Sequence, residues 1–537
     1  KFWGWGYEGE GPTRAQQEAM ASTLAGMFGL DGLTVADPPA LDEIDLPDPR
    51  VAPPETLAEI CTTDPYERAG HTYGKSFRDV VRCFRREFPH PPDLVALPRT
   101  EADVVALLDW CAGSELAAVP YGGGSSVVGG VECDVTGGGY RGVVSIDLRE
   151  LGRVVEIDRA SRAARIEAGT YGPALEDQLR PHDLTLRHYP QSFECSTLGG
   201  WLATRSGGHY ATLYTHIDEF VESMRVVTPR GVLESGRLPG SGAGPSPDRL
   251  FLGSEGILGI VTEAWMRLQD RPRYRGSATA RFDDFGTGAH AARALAQSGL
   301  YPTNCRLLDA TEALVTGVAD GAAHLLLIAF ESADHPVDSW LARAVELARD
   351  HGGDVPTDGV RVRDDRDRDT STAGERDGAA AAWRTAFLRA PYTRDALVAM
   401  GCVNETFETA ITWDRFEALY EDVMRSTRDA LAAVDAGAGI VTCRFTHVYP
   451  DGPAPYFTVI APGRAGAQLE QWDAVKTAAS DALMRHGATI THHHAVGRDH
   501  RPWYDRQRPA LFADALRSAK ATLDPAAVLN PGVLIDP

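Results

Sequence analysis

The segment "PYGGGSSVVGG", residues 120–130, says most about how this chain of 537 residues folds. Three consecutive glycines follow a predicted strand and precede two hydroxyl residues, Ser125 and Ser126. Because glycine has no Cβ, such a loop can turn tightly and present backbone N–H groups to a pyrophosphate. The loop matches neither the G-x-G-x-x-G pattern nor a G-x-x-x-x-G-K-[ST] phosphate loop. A nucleotide-binding loop and a plain surface turn therefore both stay open.

Three further segments combine small residues, hydroxyls and glycines around strand-like apolar runs. They are "HYPQSFECSTLGGWLATRSGGHY" (188–210), "VESMRVVTPRG" (221–231) and "FLGSEGILGIVTEA" (251–264). Several glycine-rich turns that converge on one elongated ligand suit a dinucleotide better than unrelated turns do. The four segments together therefore favour a dinucleotide cofactor.

Composition excludes several other classes of protein. The chain has no run of about 18 apolar residues, so no membrane span is expected. A formal net charge of −22 argues against duplex nucleic acid as a partner, because that binding needs many Lys and Arg side chains. The eight cysteines are scattered singly, which predicts reduced thiols in a cytoplasmic protein, and the N-terminal residues lack the apolar core of a secretory signal.

The length predicts several domains, since single cores stop growing at roughly 250–300 residues. Changes in pattern along the chain predict an α+β fold with four parts. They are a helical segment (1–87), an α+β domain that holds the glycine-rich segments (88–272), a second α+β domain (273–500) with a charged mobile linker (355–382), and a C-terminal helical segment (501–537).

The glycine-rich segments, in this order, resemble the PCMH-type FAD-binding domain of the vanillyl-alcohol oxidase superfamily. More narrowly, the chain is similar to the alkyldihydroxyacetonephosphate synthase family. The similarity extends to "WGWGY" (3–7), "PYTRDALV" (391–398), "ETFETAITWDR" (405–415), "VTCRFTHVYPDGPAPYF" (441–457) and "ITHHHAVG" (490–497). The resemblance implies a FAD-binding domain of two subdomains, an α+β substrate (cap) domain, and a C-terminal segment that returns to the FAD domain.

The resemblance also implies which residues hold FAD. No histidine at the glycine loop offers a covalent tether, so a non-covalent, dissociable FAD is expected. The implied FAD-binding residues are Pro120, Tyr121, Gly122, Gly123, Gly124, Ser125, Ser126, Gln191, Ser192, Ser196, Thr197, Thr204, Arg205, Ser206, Gly207, Glu255, Gly256, Leu258, Gly259, Ile260 and Val261.

The family exchanges the acyl group of acyl-dihydroxyacetone phosphate for a fatty alcohol through a flavin N5 adduct, a step of ether lipid synthesis. Its members therefore take small lipid substrates, and a peripheral membrane contact and a homodimer stay open. By this resemblance Arg306 and Arg394 would bind the substrate. The implied catalytic residues are Tyr456, His492, His493, His494 and Arg394.

Spacing alone leaves the three histidines open to metal binding, proton transfer or a solvated loop. If residues 489–494 form a strand, His492 and His494 share one face and His493 lies on the other. A side chain that titrates near neutrality suits proton transfer. A metal would need further ligands, and no Cys/His/Asp cluster at ligand spacing supplies them, so no metal is predicted. His447, in "RFTHVY", is predicted to be a packed histidine.

The tail "LDPAAVLNPGVL" (523–534) looks more like the ending of FAD-linked glycolate and lactate oxidoreductases of the same superfamily. An alternative function is therefore an FAD-dependent oxidase or dehydrogenase of a 2-hydroxy acid or another alcohol. In that case the same arginines and histidines would bind a carboxylate.

Overall fold

The computed structural model describes residues 1–365 and 379–536, and the first half of the chain builds two sheets and a strand pair. The first sheet ends on a strand that leads directly into the glycine loop. In chain order the strands are β1 (Cys61–Thr62), β2 (Leu94–Ala96), β3 (Leu116–Tyr121), β4 (Gly142–Asp147), β5 (Val154–Asp158), β6 (Ala163–Glu167), β7 (Leu184–Thr185), β8 (Val221–Thr228), β9 (Gly231–Glu234), β10 (Ile260–Arg267) and β11 (Gln269–Asp270).

The two sheets differ in strand direction. The first has the order β1-β2-β4-β3, in which β2, β4 and β3 are parallel. The second is antiparallel and has the order β5-β6-β10-β8-β9, while β11 pairs with β7. Strand β3 is an almost continuously buried apolar run, as expected for a parallel strand covered on both faces. The glycine loop therefore leaves the carboxyl end of a parallel strand.

The second half of the chain forms a seven-stranded antiparallel sheet, which we call the cap sheet. Its spatial order is β15-β12-β14-β13-β17-β18-β16. The last three strands along the chain therefore lie together at one edge of the sheet. The strands are β12 (Tyr274–Phe282), β13 (Asn304–Leu308), β14 (His324–Ser332), β15 (Val360–Asp364), β16 (Val403–Glu408), β17 (Ile440–Val448) and β18 (Pro453–Ala461).

Helices cover the sheets and connect the two halves. They are α1 (Arg14–Phe28), α2 (Pro65–Gly70), α3 (Phe77–Phe84), α4 (Glu101–Gly113), α5 (Gly172–Leu179), α6 (Leu198–Thr204), α7 (Ala211–Tyr214), α8 (Asp248–Phe251), α9 (Phe285–Gln297), α10 (Ala310–Val315), α11 (Asp338–Asp350), α12 (Ala379–Ala399), α13 (Trp413–Ala433), α14 (Gln468–Arg485), α15 (Arg501–Gln507) and α16 (Ala510–Leu523).

Local sequence explains where key helices begin and which faces they bury. Thr100 and Asp103 form a capping box that starts α4 next to the first sheet. Helix α12 contains Pro391, which cannot donate a helical hydrogen bond, and it carries Arg394 one turn further on. Buried apolar side chains form one core in the first half and a second core around the cap sheet. No helix within the described ranges is both long and apolar enough to cross a membrane.

The fold is α+β, as the sequence predicts, but two expected segments differ. Residues 360–364 of the predicted linker form β15, which pairs along β12, because Val360 and Val362 alternate with charged residues in an edge strand. The prediction of a mobile linker is therefore wrong for these residues, and residues 366–378 of it lie outside the described part. Strand β1 also joins the first sheet, although the sequence predicts only helices before residue 88.

The C-terminal segment returns to the first sheet. The Ala118 amide donates to the carbonyl of Val528 at 2.8 Å, and the Asn530 amide donates to the carbonyl of Ala118 at 2.8 Å. Because Ala118 lies in β3, the tail adds to the strand that carries the glycine loop. The last residues of the chain therefore lie next to the predicted FAD-binding loop.

Candidate active site

A cavity of about 420 Å³ lies between the glycine-rich segments on one side and the cap sheet with α12 on the other. Most residues that the sequence predicts to bind FAD line this cavity. They are Pro120, Tyr121, Gly122, Gly123, Gly124, Ser125, Ser126, Gln191, Ser192, Ser196, Thr197, Thr204, Ser206, Gly207, Glu255, Gly256, Gly259, Ile260 and Val261.

Two predicted FAD-binding residues do not line the cavity. Leu258 is fully buried in the core of the first half. Arg205 ends α6 with a φ of 52°, and its guanidinium binds Asp218 at 3.1 Å. Neighbouring residues in a contiguous motif point to different faces of the backbone, so these two side chains lie away from the cavity and their part in FAD binding stays a prediction.

The glycine loop lies too close to its neighbours to carry side chains. A Cβ on Gly122 would lie 2.3 Å from Thr197 Oγ1, and one on Gly123 would lie 1.9 Å from the carbonyl oxygen of Cys195. The backbone N–H groups of residues 122–126 make no hydrogen bond to any residue in the described ranges. Free donors grouped at the end of a strand suit the oxygens of a pyrophosphate.

Glu255 links the cofactor side of the cavity to the segment after the three histidines. Its carboxyl oxygens accept hydrogen bonds from the amides of Val496 at 2.9 Å and Gly497 at 2.8 Å. Asn530 Nδ2 donates to the carbonyl of Glu255 at 2.7 Å. The tail and the histidine-bearing segment are therefore fixed against the same cavity residue.

The cap sheet presents a row of three polar residues toward the cavity. Strand pairing sets Tyr456 of β18 opposite Glu408 of β16 and opposite Arg444 of β17. The guanidinium carbon of Arg444 lies 3.7 Å from the centroid of the Tyr456 ring, and Arg444 also pairs with buried Glu312. Tyr456 is 3% exposed, and its Oη lies 3.5 Å from Gln191 Oε1 across the cavity. The phenol is thus held between the cap sheet and the cofactor side.

Arg394 lines the cavity, as expected of a substrate-binding residue. Its Nη2 donates to Thr406 Oγ1 at 2.7 Å, and its Nε donates to Asn404 Oδ1 at 3.3 Å. Both acceptors are neutral, and no carboxylate of a described residue pairs with the Arg394 guanidinium. An uncompensated guanidinium beside a cavity favours an anionic ligand.

Arg306 takes a different position from the one predicted. It is fully buried, it does not line the cavity, and its guanidinium carbon lies 4.8 Å from the ring centroid of Phe387, which does. Burial, together with nearby Arg444, lowers the pKa of Arg306 to about 9. Arg306 therefore adds positive charge from behind the cavity wall. The structure does not place Arg306 at the cavity surface, and its contact with the substrate stays a prediction.

The three histidines lie in a bend, so the alternation of faces that a strand over residues 489–494 would produce does not apply. The carboxylate of Glu408 accepts the backbone N–H groups of His492, His493 and His494 at 2.6, 3.1 and 2.9 Å. His493 and His494 both line the cavity, whereas His492 Nε2 lies 3.0 Å from His216 Nε2. The alternating faces of a strand are lost because three successive amides turn toward one carboxylate.

Burial keeps these histidines neutral. Burial first, then His216 and Arg444, lowers the pKa of His493 to about 3. Burial also lowers the pKa values of His492 and His494 well below the usual range. The structure therefore differs from the expected histidine that titrates near neutrality. A neutral imidazole in this cavity can accept a proton or donate its own N–H.

A second histidine arrangement bears on metal binding. Ring nitrogens of His447, His492 and His493 lie within 4.8 Å of one another. His492 Nδ1 lies 3.0 Å from His493 Nδ1, and His492 Nε2 lies 2.9 Å from Tyr449 Oη. Hydrogen bonds thus occupy both nitrogens of the central ring, which favours a hydrogen-bonded network at this position. The absence of a metal stays a prediction of the sequence.

Comparison with known proteins decides the family. Residues 92–236 match the model "FAD binding domain", and residues 271–534 match the model "FAD linked oxidases, C-terminal domain". The chain is 32% identical to the alkyldihydroxyacetonephosphate synthase of Dictyostelium discoideum over 89% of this chain and 79% of that protein. It is 30% identical to that of Trypanosoma brucei brucei, over 88% and 78%. The chain belongs to the alkyldihydroxyacetonephosphate synthase family.

A solved structure supports the same assignment. The fold matches an alkyldihydroxyacetonephosphate synthase with a TM-score of 0.80 and 25% identity, over 99% of this chain and 97% of that one. As a member of the alkyldihydroxyacetonephosphate synthase family, the protein is an FAD-dependent enzyme, and both matched models confirm FAD as its cofactor. That this FAD is bound without a covalent link stays a prediction.

The glycine loop offers the first test of how this family member holds FAD. We expect Gly123→Ala to lower the FAD content of the purified protein by about tenfold or more, because the new methyl group would collide with the backbone at Cys195. The ratio of flavin to protein absorbance measures this loss. Gly113→Ala is the matched control, since a Cβ there meets nothing within 4 Å. Normal FAD content in Gly123→Ala would contradict the close packing of the loop.

Glu255 predicts a dependence of stability on pH. Burial raises the pKa of its carboxyl group to about 7. A raised carboxyl pKa means that the folded state binds the proton more tightly, so the stability from this group is lost as pH rises toward 7. We therefore expect Tm to fall less between pH 5 and pH 8 in Glu255→Gln than in the wild type.

Thermal unfolding of the two holoproteins at both pH values measures this difference, with the exposed Glu59→Gln as the control. The quantity compared is the difference in Tm between variant and wild type at pH 5 and at pH 8. A loss of packing that is the same at both pH values does not affect this comparison. An equal difference in Tm at the two pH values would show that Glu255 does not titrate over this range.

Several cavity residues were not predicted from the sequence. Arg444 and Thr446 of β17 line the cavity, and so does His447, which the sequence predicts only as packed. Alternation in "CRFTH" places Arg444 and Thr446 on one face, which was the available signal. A register shift between Phe445 and His447 then brings His447 to the cavity as well.

Proposed function

We propose that this member of the family exchanges the acyl group of acyl-dihydroxyacetone phosphate for a fatty alcohol. The observation that carries this proposal is the set of side chains on the cap side of the cavity. An arginine without a carboxylate partner among the described residues, Arg394, lies beside a phenol and two neutral imidazoles. Such a set suits a phosphorylated substrate together with a nucleophile that must lose a proton.

Arg394 is the residue proposed to bind the phosphate. Thr406 and Asn404 orient its guanidinium from the side of β16, and the planar group can donate to two oxygens of one phosphate. Arg306 contributes further positive charge near the same wall, whereas Glu312 offsets the charge of Arg444. Within a protein of net charge −22, this cluster makes the cavity a local site for an anion.

The proposed proton acceptor for the fatty alcohol is His493 or His494, with Tyr456 as a hydrogen-bond donor. His493 and the phenol both line the cavity, and their ring centroids lie 6.1 Å apart, which leaves room for an oxygen atom to contact both. A neutral imidazole accepts the alcohol proton as the ether bond forms. When bound, the FAD would supply an electrophilic N5 for the exchange at C1.

Apolar surface for a fatty chain lies close to Arg394. Leu397, one turn along α12, and Ile460 of β18 both line the cavity. A headgroup held at Arg394 would therefore direct its chain along apolar side chains rather than into water. A peripheral membrane contact, a homodimer and a cytoplasmic location stay predictions of the sequence.

Product analysis tests the proposed function. The FAD-loaded protein is incubated with palmitoyl-dihydroxyacetone phosphate and hexadecanol, and the products are measured by mass spectrometry. We expect equal amounts of hexadecyl-dihydroxyacetone phosphate and palmitate, with the flavin spectrum oxidised at the end. Lasting anaerobic bleaching of the flavin by a 2-hydroxy acid, with no exchange product, would instead support an oxidase or dehydrogenase.

A further inference from the structure

Glu408 holds the three-histidine bend with four hydrogen bonds. Its Oε2 accepts the amide of His492, and its Oε1 accepts the amides of His493 and His494. Oε1 also accepts the hydroxyl of Thr491 at 2.6 Å. The residues joined in this way are 83 to 86 positions apart in the chain. The bend has no strand or helix of its own, so this carboxylate fixes its shape.

The Glu408 carboxylate is buried and lacks an arginine or lysine partner in the described ranges. Its side chain is 1% exposed, and its ion-pair partners there are His493 and His494, with nitrogen to oxygen distances of 3.5 and 3.7 Å. A buried carboxylate without a basic partner is costly unless hydrogen bonds or a neighbouring cation stabilise it. The two imidazoles are therefore the groups that can become its cationic partner.

The orientation of His493 places one ring nitrogen toward Glu408 and the other toward the cavity. His493 Nδ1 lies 3.0 Å from His492 Nδ1 and 3.5 Å from Glu408 Oε2. The ring lines the cavity, and its Nε2 makes no hydrogen bond to any residue that the structure describes. Nε2 is therefore the nitrogen available to a ligand, while Nδ1 lies against the buried carboxylate.

We infer that Glu408 is a positioning residue for the proposed reaction. It holds the bend so that His493 Nε2 faces the cavity, and its Oε2 stabilises the imidazolium that forms there. Over the whole exchange one bond breaks, from C1 to the acyl oxygen, and one bond forms, from C1 to the alkyl oxygen. The fatty acid leaves with the bonding electron pair as a carboxylate, and the alcohol proton moves to His493 Nε2 and then to solvent, so atoms and charges balance.

The surroundings of His493 explain why a carboxylate is needed there. A proton on this ring is opposed by burial and by two arginines, whereas Glu408 is the acidic group in contact with the ring. Glu312 is already paired with Arg444. The titratable and charged groups that act on or contact the cluster include His216, His447, His492, His494, His500, Tyr449, Tyr456, Arg205, Arg306, Arg394, Arg444, Lys476 and Glu408.

Glu408→Gln tests the role with little change in size. Its amide group has only one acceptor oxygen, so an NH2 would meet backbone N–H groups and the negative charge would be lost. We expect turnover to fall by about 100-fold, the usual contribution of acid–base groups, while FAD stays bound. Glu408→Asp keeps the charge and should recover part of this loss.

Glu405→Gln is the matched control. It lies on the same strand, is also buried, and pairs with Lys476 at 2.8 Å instead of with the histidine bend. The same chemical change there should leave turnover within about threefold, since it removes no contact to the cavity. Comparable losses in both variants would overturn the inference, because a general loss of stability would then explain them.

Amide exchange separates this inference from the proposed function. Peptides that cover residues 490–497 should exchange hydrogen at least about tenfold faster in Glu408→Gln than in the wild type or in Glu405→Gln. Unchanged protection in Glu408→Gln would overturn the anchoring role whether or not the protein makes an ether product. If the wild type makes no ether product, the proposed function fails, and so does the assignment of the proton step, while the exchange result still decides the anchoring.

Discussion

Replacing His493 by alanine is expected to lower turnover by about 1,000-fold while the protein keeps its FAD. The imidazole lines the cavity next to Tyr456, and Glu408 accepts the His493 backbone N–H and so fixes its position. The residues that line the cofactor side are untouched, so flavin absorbance should not change. Initial rates of ether product formation, with flavin content and Tm on the same samples, measure the effect.

The control for this substitution is His290→Ala, on the exposed face of α9. It removes the same side chain outside the cavity, and its rate should equal that of the wild type. Activity within about tenfold of wild type in His493→Ala would remove this residue from the mechanism. His494→Ala then becomes the decisive variant, since His494 is the other histidine of the bend that lines the cavity.

Replacing Arg394 by alanine should lower kcat/KM for acyl-dihydroxyacetone phosphate by about 100-fold or more. A guanidinium that donates to a phosphate in two places contributes more than an ordinary hydrogen bond, and its loss leaves the dianion without a fixed partner. Arg394→Lys should recover only part of the loss, because an ammonium group cannot reproduce the planar geometry. FAD content should stay normal in both variants.

Arg343→Ala is the matched control for charge, because Arg343 lies on the exposed side of α11 and pairs with Glu346. The distinguishing readout is the dependence on substrate. The KM for the phosphorylated substrate should rise in Arg394→Ala, while the KM for hexadecanol should change little. Equal changes in both KM values would argue that Arg394 supports the cavity wall instead of binding phosphate.

The sequence predicts the cofactor side of this cavity well, because small residues in a fixed order leave little freedom there. Glycine at positions 122 and 123 is required because an added Cβ would lie less than 2.5 Å from the Thr197 hydroxyl oxygen and the Cys195 carbonyl oxygen, respectively. A motif, however, predicts a continuous run of residues, whereas only the residues of that run that face the cavity can line it. Leu258 and Arg205 belong to such runs and point elsewhere.

The cap side was harder to predict because it depends on pairing between distant strands. Glu408, Tyr456 and Arg444 form one row only after β16, β18 and β17 pair in register. The bend at residues 492–494 follows from a carboxylate more than 80 positions earlier in the chain, so local alternation cannot indicate it. Arg306 belongs to a motif that matches the family, but it is fully buried and does not line the cavity.

An isotope experiment tests the central claim most directly. In the proposed reaction the enzyme breaks the bond between C1 and the acyl oxygen, and the alcohol supplies the new ether oxygen. With hexadecanol that carries oxygen-18 at its hydroxyl group, we expect one heavy oxygen in hexadecyl-dihydroxyacetone phosphate and none in the released palmitate. Heavy oxygen found instead in hexadecyl palmitate, with no labelled ether, would mean acyl transfer to the alcohol and would contradict the account.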